Sequence, residues 1–199
     1  STPNVWPPMS YDPELDLLFV GTGNPTPDYA SAHRQGLDHF GSSTVALHAR
    51  TGEVAWSFQT VHHDVWDFDI PAQPVLFPLQ RDGQAIPAVV QSTKTSHLFF
   101  FDRRDGTLLF PVEERPVSQN GEPDFVLSPT QPFPVKPPPL IRMDITPEDA
   151  WGLTFWDRGK CREKIEALRF EGAFTPPSTQ GTIMIPGNAG GTNWGGVAI

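Results

Sequence analysis

The chain has 199 residues, a net charge of −9 and a single cysteine. One cysteine excludes an internal disulfide and a multi-cysteine metal site, and an acidic balance argues against nucleic acid as a partner, because phosphate binding needs clustered Lys and Arg. Charged residues make up only 19%, against 17 Gly and 23 Pro, a composition that favours short strands joined by turns over long helices.

Leu15–Val20 is a short apolar run ending at Gly21-Thr-Gly and reads as a buried strand. Ser42–His48 and Gly52–Phe58 read as two more strands, joined by the tight turn Ala49-Arg-Thr-Gly52. Ala88–Thr93, His97–Asp102 and Thr107–Phe110 follow, with Arg103-Arg-Asp-Gly106 as the turn before the last. The prolines of residues 111–142 predict a long extended insert without regular structure. Thr146 followed by Pro147-Glu-Asp has the chemistry of a helix start. Asp157–Arg169 spaces Cys161, Ile165 and Leu168 at helical intervals, which predicts a short helix with Cys161 as a packed core thiol. Thr182–Ile185 reads as a strand before the glycine-rich stretch Pro186–Gly196. No run approaches the roughly 18 apolar residues of a transmembrane helix, and no signal peptide opens the chain. Both ends read as mid-domain sequence, so residues 1–199 are expected to be a piece of one larger domain.

The two hairpins resemble one another. Trp56 lies four residues beyond Gly52, and Phe110 lies four residues beyond Gly106. A strand–turn–strand unit recurring at such a spacing is a propeller-blade pattern; two unrelated hairpins of a sandwich would also satisfy it.

The chemistry concentrates in "QTVHHDVWDFDIPAQP", residues 59–74. Adjacent histidines on an extended chain point to opposite faces, which disfavours His62 and His63 as joint ligands of a transition metal. A polar loop with turn-capping aspartates is the simplest reading. Against it, Trp66, Phe68 and Ile70 surround Asp67, an apolar setting that tunes a carboxylate towards general-base work. Asn24, Thr26 and Asp28 offer hard oxygen atoms suited to calcium or magnesium. Lys94 follows a strand, where a lone lysine is ordinarily exposed. The glycines at 187, 190 and 191 lack the Lys-Ser/Thr of a phosphate loop and suit close backbone approach instead. Trp194 is a stacking platform or a core residue.

Six stretches, "GNPTPDY", "SSTVALHARTGEVAWSFQTVHHDVWDFDIPAQPVLF", "PVEERPV", "SPTQPF", "EGAFTPPSTQGTIMIPGN" and "NWGGVA", run through nearly the whole chain. Together they resemble the membrane-bound quinoprotein glucose dehydrogenases, pyrroloquinoline-quinone (PQQ) enzymes of the bacterial periplasm. The Ala46–Trp56 hairpin resembles that family's tryptophan-docking repeat, with His48 in place of the usual acid or amide. The resemblance implies an all-β, eight-bladed propeller, about half of whose blades lie in this chain, with a Pro-rich excursion and short helices between blades. It implies PQQ with Ca2+ or Mg2+ as cofactors. Asp67 matches the catalytic base, and Lys94 the lysine that hydrogen-bonds the quinone oxygens. Asn188 and Thr26 match cofactor-site residues, Trp194 is assigned beside them, and Asn24 matches a metal-binding amide. The implied reaction is oxidation of glucose to its lactone at the periplasmic face of the inner membrane. Electrons would pass to ubiquinone, and an N-terminal region outside this chain would supply the anchor. "LTFWDRGKCREKIEALRFEG" departs from the family pattern, which leaves quinate or another polyol open as substrate and a non-catalytic scaffold as the alternative of another class.

Overall fold

The computed structural model describes residues 3–34 and 38–199. Four strands, β1 (Ser10–Asp12), β2 (Leu17–Gly21), β3 (Ser43–His48) and β4 (Val54–Gln59), form an antiparallel meander in the order β1-β2-β3-β4. A second meander contains β5 (Val75–Arg81), β6 (Gln84–Ser92) and β7 (Leu98–Asp102). Alternate residues of each strand face the other sheet, and there Phe19, Ala46 and Trp56 meet Val89, Phe99 and Phe101 in one buried cluster. Phe58 packs at its border, with its ring 5.2 Å from that of Phe101.

The two turns are built alike. Gly52 N–H donates to His48 O at 2.8 Å, and His48 N–H donates to Glu53 O at 2.8 Å. In the second copy Gly106 N–H donates to Asp102 O at 2.9 Å, and Asp102 N–H donates to Thr107 O at 2.8 Å. Both glycines are left-handed, with φ of 75° and 76°. The repeat seen in the sequence is therefore a repeat of backbone geometry. The predicted strand Thr107–Phe110 is reduced to a single bridge, Phe101 to Leu108, so the second sheet has only a rudimentary outer strand.

Trp56 joins the copies. Its indole N–H donates to Arg103 O of the second turn at 3.0 Å, and its ring lies 5.4 Å from Phe101 and 5.8 Å from Phe19. A Cβ at Gly106 would stand 2.7 Å from the indole, so the seat accepts only glycine.

Three expectations are corrected. The insert at 111–142 does contain regular structure, because β8 (Val112–Pro116) pairs with β9 (Thr130–Pro134). Pro132 and Pro134 share one parity along β9, so their missing N–H groups fall on the side away from β8 and the ladder loses no bond. After a 3-10 turn at Pro147–Asp149, helix α1 spans Phe155–Ala167 and buries no residue. Cys161 is accordingly part-exposed rather than a core thiol, because α1 lies on the surface instead of packing into a sheet. Thr182 makes one bridge to Arg169, and Thr182–Ile185 is not a strand. Thr146 does open the 3-10 turn, its N–H donating to Asp149 Oδ2 at 2.7 Å. No helix among the described residues is long and apolar enough to cross a membrane.

The Gly106→Ala protein should lose stability by about 2–4 kcal/mol, combining left-handed strain with overpacking against Trp56. Gly52→Ala, where no atom lies within 4 Å of the added Cβ, should lose only about 1–2 kcal/mol from strain alone. Urea unfolding of both variants in the full-length protein measures the gap, and equal losses would remove the tryptophan seat as its cause.

Candidate active site

The segment after β4 is shaped by Asp64. Its Oδ1 accepts from Trp66 N–H at 2.9 Å and Phe68 N–H at 3.2 Å, and its Oδ2 accepts from the Ser42 hydroxyl at 2.6 Å. This cap holds residues 66–69 so that side chains alternate. Trp66 and Phe68 turn inward onto Phe174, their rings 5.3 and 6.0 Å from it, and the Trp66 indole N–H donates to Thr175 O at 2.7 Å. Asp67 and Asp69 turn the other way, with Asp67 at a φ of 59°. The aromatic neighbours therefore anchor the backbone under Asp67 rather than enclosing its carboxylate, which revises the reason given above for singling it out.

Lys94 leaves the end of β6 and points at the same place. Its ammonium lies 2.6 Å from Asp69 Oδ1 and 3.3 Å from Asp67 Oδ2, and it donates to Asp67 O at 2.8 Å. Only 6% of Lys94 is exposed, the opposite of the ordinary expectation for a lone lysine. Burial pulls its pKa down, but the hydrogen bond and charge of Asp69, with the charge of Asp67, outweigh burial and hold it above the usual lysine value. Burial raises the Asp67 pKa, Lys94 pulls it back, and the Asp69 charge adds to the rise, leaving it above the usual carboxylate value. Asp64 is raised further, to about 6, by burial, yet it is sealed against Ser42 at 2% exposure and reaches no solvent-facing space.

Asp67, Asp69 and Lys94 form one wall of a cleft of about 410 Å³. Asn24, Thr26 and Asp28 form another, with Asn4 and Trp6 beside them. The Trp6 indole N–H donates to Asp69 Oδ2 at 2.6 Å. Asn24 Nδ2 donates to Asp28 O at 2.9 Å, while its Oδ1 is buried without a hydrogen-bond partner. A buried amide oxygen without a donor is costly, and here it belongs to a cleft lined by three aspartates and a threonine. That donor set fits a hard divalent cation, and a buried ammonium beside it fits an anionic or quinone oxygen. No group of three His, Cys, Asp or Glu side chains with metal-holding geometry occurs among the described residues, so a cation here would depend on the Asn24 amide.

Four of the six predicted residues thus come together: Asp67, Lys94, Asn24 and Thr26. Asn188 and Trp194 do not line this cleft. Asn188 Nδ2 donates to the Tyr29 hydroxyl at 2.8 Å on the surface. Trp194 is 74% exposed, which removes the core reading, and meets Trp6 edge-on at 6.4 Å beside a second, proline-lined depression. Their glycine-rich loop nevertheless lies across the lysine, with Gly191 N–H donating to Lys94 O at 2.9 Å. Close approach is observed at Gly190 and Gly191, where an added Cβ would stand 2.7 Å from Lys94 Cγ and would collide with Ser96 respectively, but not at Gly187, where nothing lies within 4 Å. His62 and His63 diverge as expected. His62 bridges Gln59 and Glu114, at 2.9 and 3.1 Å, and His63 Nδ1 lies 3.0 Å from Asp38. The sequence reading missed Asp69 and Trp6. The spacing Asp67-Phe68-Asp69 carried a period-two signal for Asp69, whereas Trp6, far away along the chain, had none.

The family model described as PQQ glucose/ethanol/alcohol dehydrogenase, beta-propeller domain, matches residues 1–199. The chain belongs to this PQQ dehydrogenase propeller family. It is 42% identical to the quinoprotein glucose dehydrogenase of Escherichia coli K12, covering 100% of this chain and 25% of the relative. It is 44% identical to a probable quinate dehydrogenase (quinone) of Xanthomonas campestris pv. juglandis, with the same coverage. The glycerol dehydrogenase large subunit of Gluconobacter oxydans 621H is 43% identical, over 99% of this chain and 27% of the relative. The chain thus spans about a quarter of the length of these relatives. Among solved structures, a quinohemoprotein alcohol dehydrogenase of Pseudomonas putida HK5 superposes with a TM-score of 0.50 at 31% identity, over 59% of this chain and 18% of the other. A europium-containing methanol dehydrogenase gives 0.51 at 26% identity, over 67% and 23%. The fold is accordingly an all-β propeller fragment, with two blade sheets and the β8–β9 ladder among the described residues.

Each of the two other charges in the triad moves the Asp67 carboxyl in a defined direction. Lys94→Met should raise its titration point further, and Asp69→Asn should lower it. Carboxyl 13C NMR of aspartate-labelled full-length protein reads both, and shifts of one sign in the two variants would refute the opposed influences. Because the folded pKa lies above the unfolded one, ionised Asp67 costs stability as pH rises through that interval and beyond. Asp67→Asn should therefore melt higher than the parent at neutral pH.

Proposed function

We propose that the full-length protein is a PQQ-dependent dehydrogenase that oxidises a secondary or hemiacetal hydroxyl of a sugar, with glucose first, to the carbonyl product, here the lactone. The single observation carrying this reading is the Lys94–Asp67–Asp69 triad facing the unpartnered Asn24 oxygen across one cleft. Asn24 Oδ1, with Asp67 and Asp69, would hold a calcium or magnesium ion, and Lys94, Thr26 and the loop bearing Asn188 and Trp194 would hold PQQ. When bound, PQQ supplies the two-electron acceptor and the cation polarises its quinone oxygen. Asp67 accepts the proton of the substrate hydroxyl, its carboxylate being the one that keeps part of its surface towards the cleft. Lys94 keeps a fixed positive charge beside the site where negative charge develops. Asp69 keeps that lysine charged, and the Trp6 indole N–H steadies Asp69. The surroundings proposed with this function are the periplasmic face of the inner membrane and ubiquinone as electron acceptor; the relatives named as quinate dehydrogenases carry "(quinone)" in their names.

Identity does not rank the substrates, because the glucose, quinate and glycerol relatives lie between 42% and 44%. Full-length protein loaded with PQQ and calcium should reduce an electron-accepting dye with glucose faster than with quinate or glycerol. A preference for either of the others would replace glucose in this reading, and no turnover with any of the three would end it. Asp67→Asn should retain PQQ while kcat falls about 10²–10⁴-fold, the usual worth of a general base; unchanged turnover would remove the base assignment.

A further inference from the structure

Arg34 is 1% exposed, the most buried cationic side chain among the described residues. It does not line the cleft, and nothing in the proposed chemistry uses it. Its one carboxylate partner is Asp38, with Nη1 3.2 Å from Oδ1. The other contacts are to backbone carbonyls, and these belong to the two chain segments, 24–28 and 64–69, that carry the two walls of the cleft. Nη2 donates to Pro27 O at 2.5 Å and Asp28 O at 3.2 Å, and Nε donates to Pro27 O at 3.2 Å. Nη1 donates to Asp64 O at 2.5 Å.

The carbonyls it selects are informative. Asp28 O is also the acceptor for Asn24 Nδ2, so Arg34 shares the carbonyl that fixes how Asn24 points. Asp64 is the residue whose carboxylate caps Trp66 and Phe68 and so sets the exit of Asp67. A guanidinium is a rigid planar fork, and a fork seated on both segments fixes the distance between them. Asp38 is itself held by His63 Nδ1 at 3.0 Å, and its hydrogen bonds from His63 and Arg34 hold its pKa below the usual value despite burial.

We propose that Arg34 is a positioning residue that clamps the Asn24 wall to the Asp67 wall and thereby places Asp67 against the substrate hydroxyl. This rests on the reading of the cleft as a dehydrogenase active site. The test is Arg34→Lys in the full-length PQQ-loaded protein, because an ammonium keeps the charge but cannot span both walls. kcat should fall about 10- to 100-fold, the scale of an ångström-level misplacement, with KM moving less. Hydrogen exchange of the cofactor-free protein should quicken together at residues 24–31 and 64–70, while β3 and β6 keep their protection. Unchanged kcat, or faster exchange in one wall alone, would overturn the clamp. If Arg34→Lys does not fold, Asp38→Asn, which removes the carboxylate that aligns the fork, decides by the same pair of readings. The exchange measurement needs no cofactor, so it judges the clamp even where the parent protein proves inactive and the dehydrogenase reading falls.

Discussion

An ammonium carried to 6% exposure must be met by negative charge at contact distance, and this requirement on Lys94 organises the cleft. Asp69 meets it directly at 2.6 Å, and Asp67 meets it more loosely at 3.3 Å. The unequal distances divide the labour. The closer carboxylate is committed to the lysine and to the Trp6 indole, while the looser one keeps part of its surface towards the open space. Two carboxylates against one ammonium leave the wall with a net negative charge, and the Asn24 oxygen opposite adds a further unpaired acceptor. A cavity with surplus acceptors is one whose field suits a cation.

The supporting structure explains why such a site is held at the end of sheets rather than inside one. Trp66 and Phe68 bury their rings against Phe174 and leave only the aspartates of that segment to the cleft. Asp64, sealed below, spends its carboxylate on backbone N–H groups. Three aspartates within six residues thus have three jobs, set by which way each points.

Much of this was legible in the residues. Strand positions follow from apolar runs ending at glycine, and the paired turns at Gly52 and Gly106 carry the repeat in the residues themselves. Asp67 and Lys94, which share one wall of the cleft, are singled out by the sequence, the latter through resemblance alone, since nothing local marks a buried lysine. What escaped was whatever depended on long-range placing. Trp6 reaches Asp69 across the chain, and Arg34 finds its carbonyls through backbone geometry that leaves no residue signature. The β8–β9 ladder is hidden in a stretch so rich in proline, because what spares its hydrogen bonds is the parity of Pro132 and Pro134 and not their number. Cys161 was misplaced because helical spacing says which residues share a face, and not whether anything covers that face.

Phe110 stands where the first copy has Trp56, and this changes how the second unit can be tied to a neighbour. Trp56 hands an N–H to the turn of its neighbour, so the first unit satisfies a backbone carbonyl of the second. Phe110 has no such donor. Its ring instead packs on Phe100 at 4.9 Å beneath the Arg81 guanidinium, within its own sheet. Units coupled by a directional bond melt together, whereas a seam held by packing alone can part first. The chain departs into its proline-rich excursion immediately after this residue. Where Phe110 stands, the second unit therefore lacks the indole N–H through which the first is tied to its neighbour.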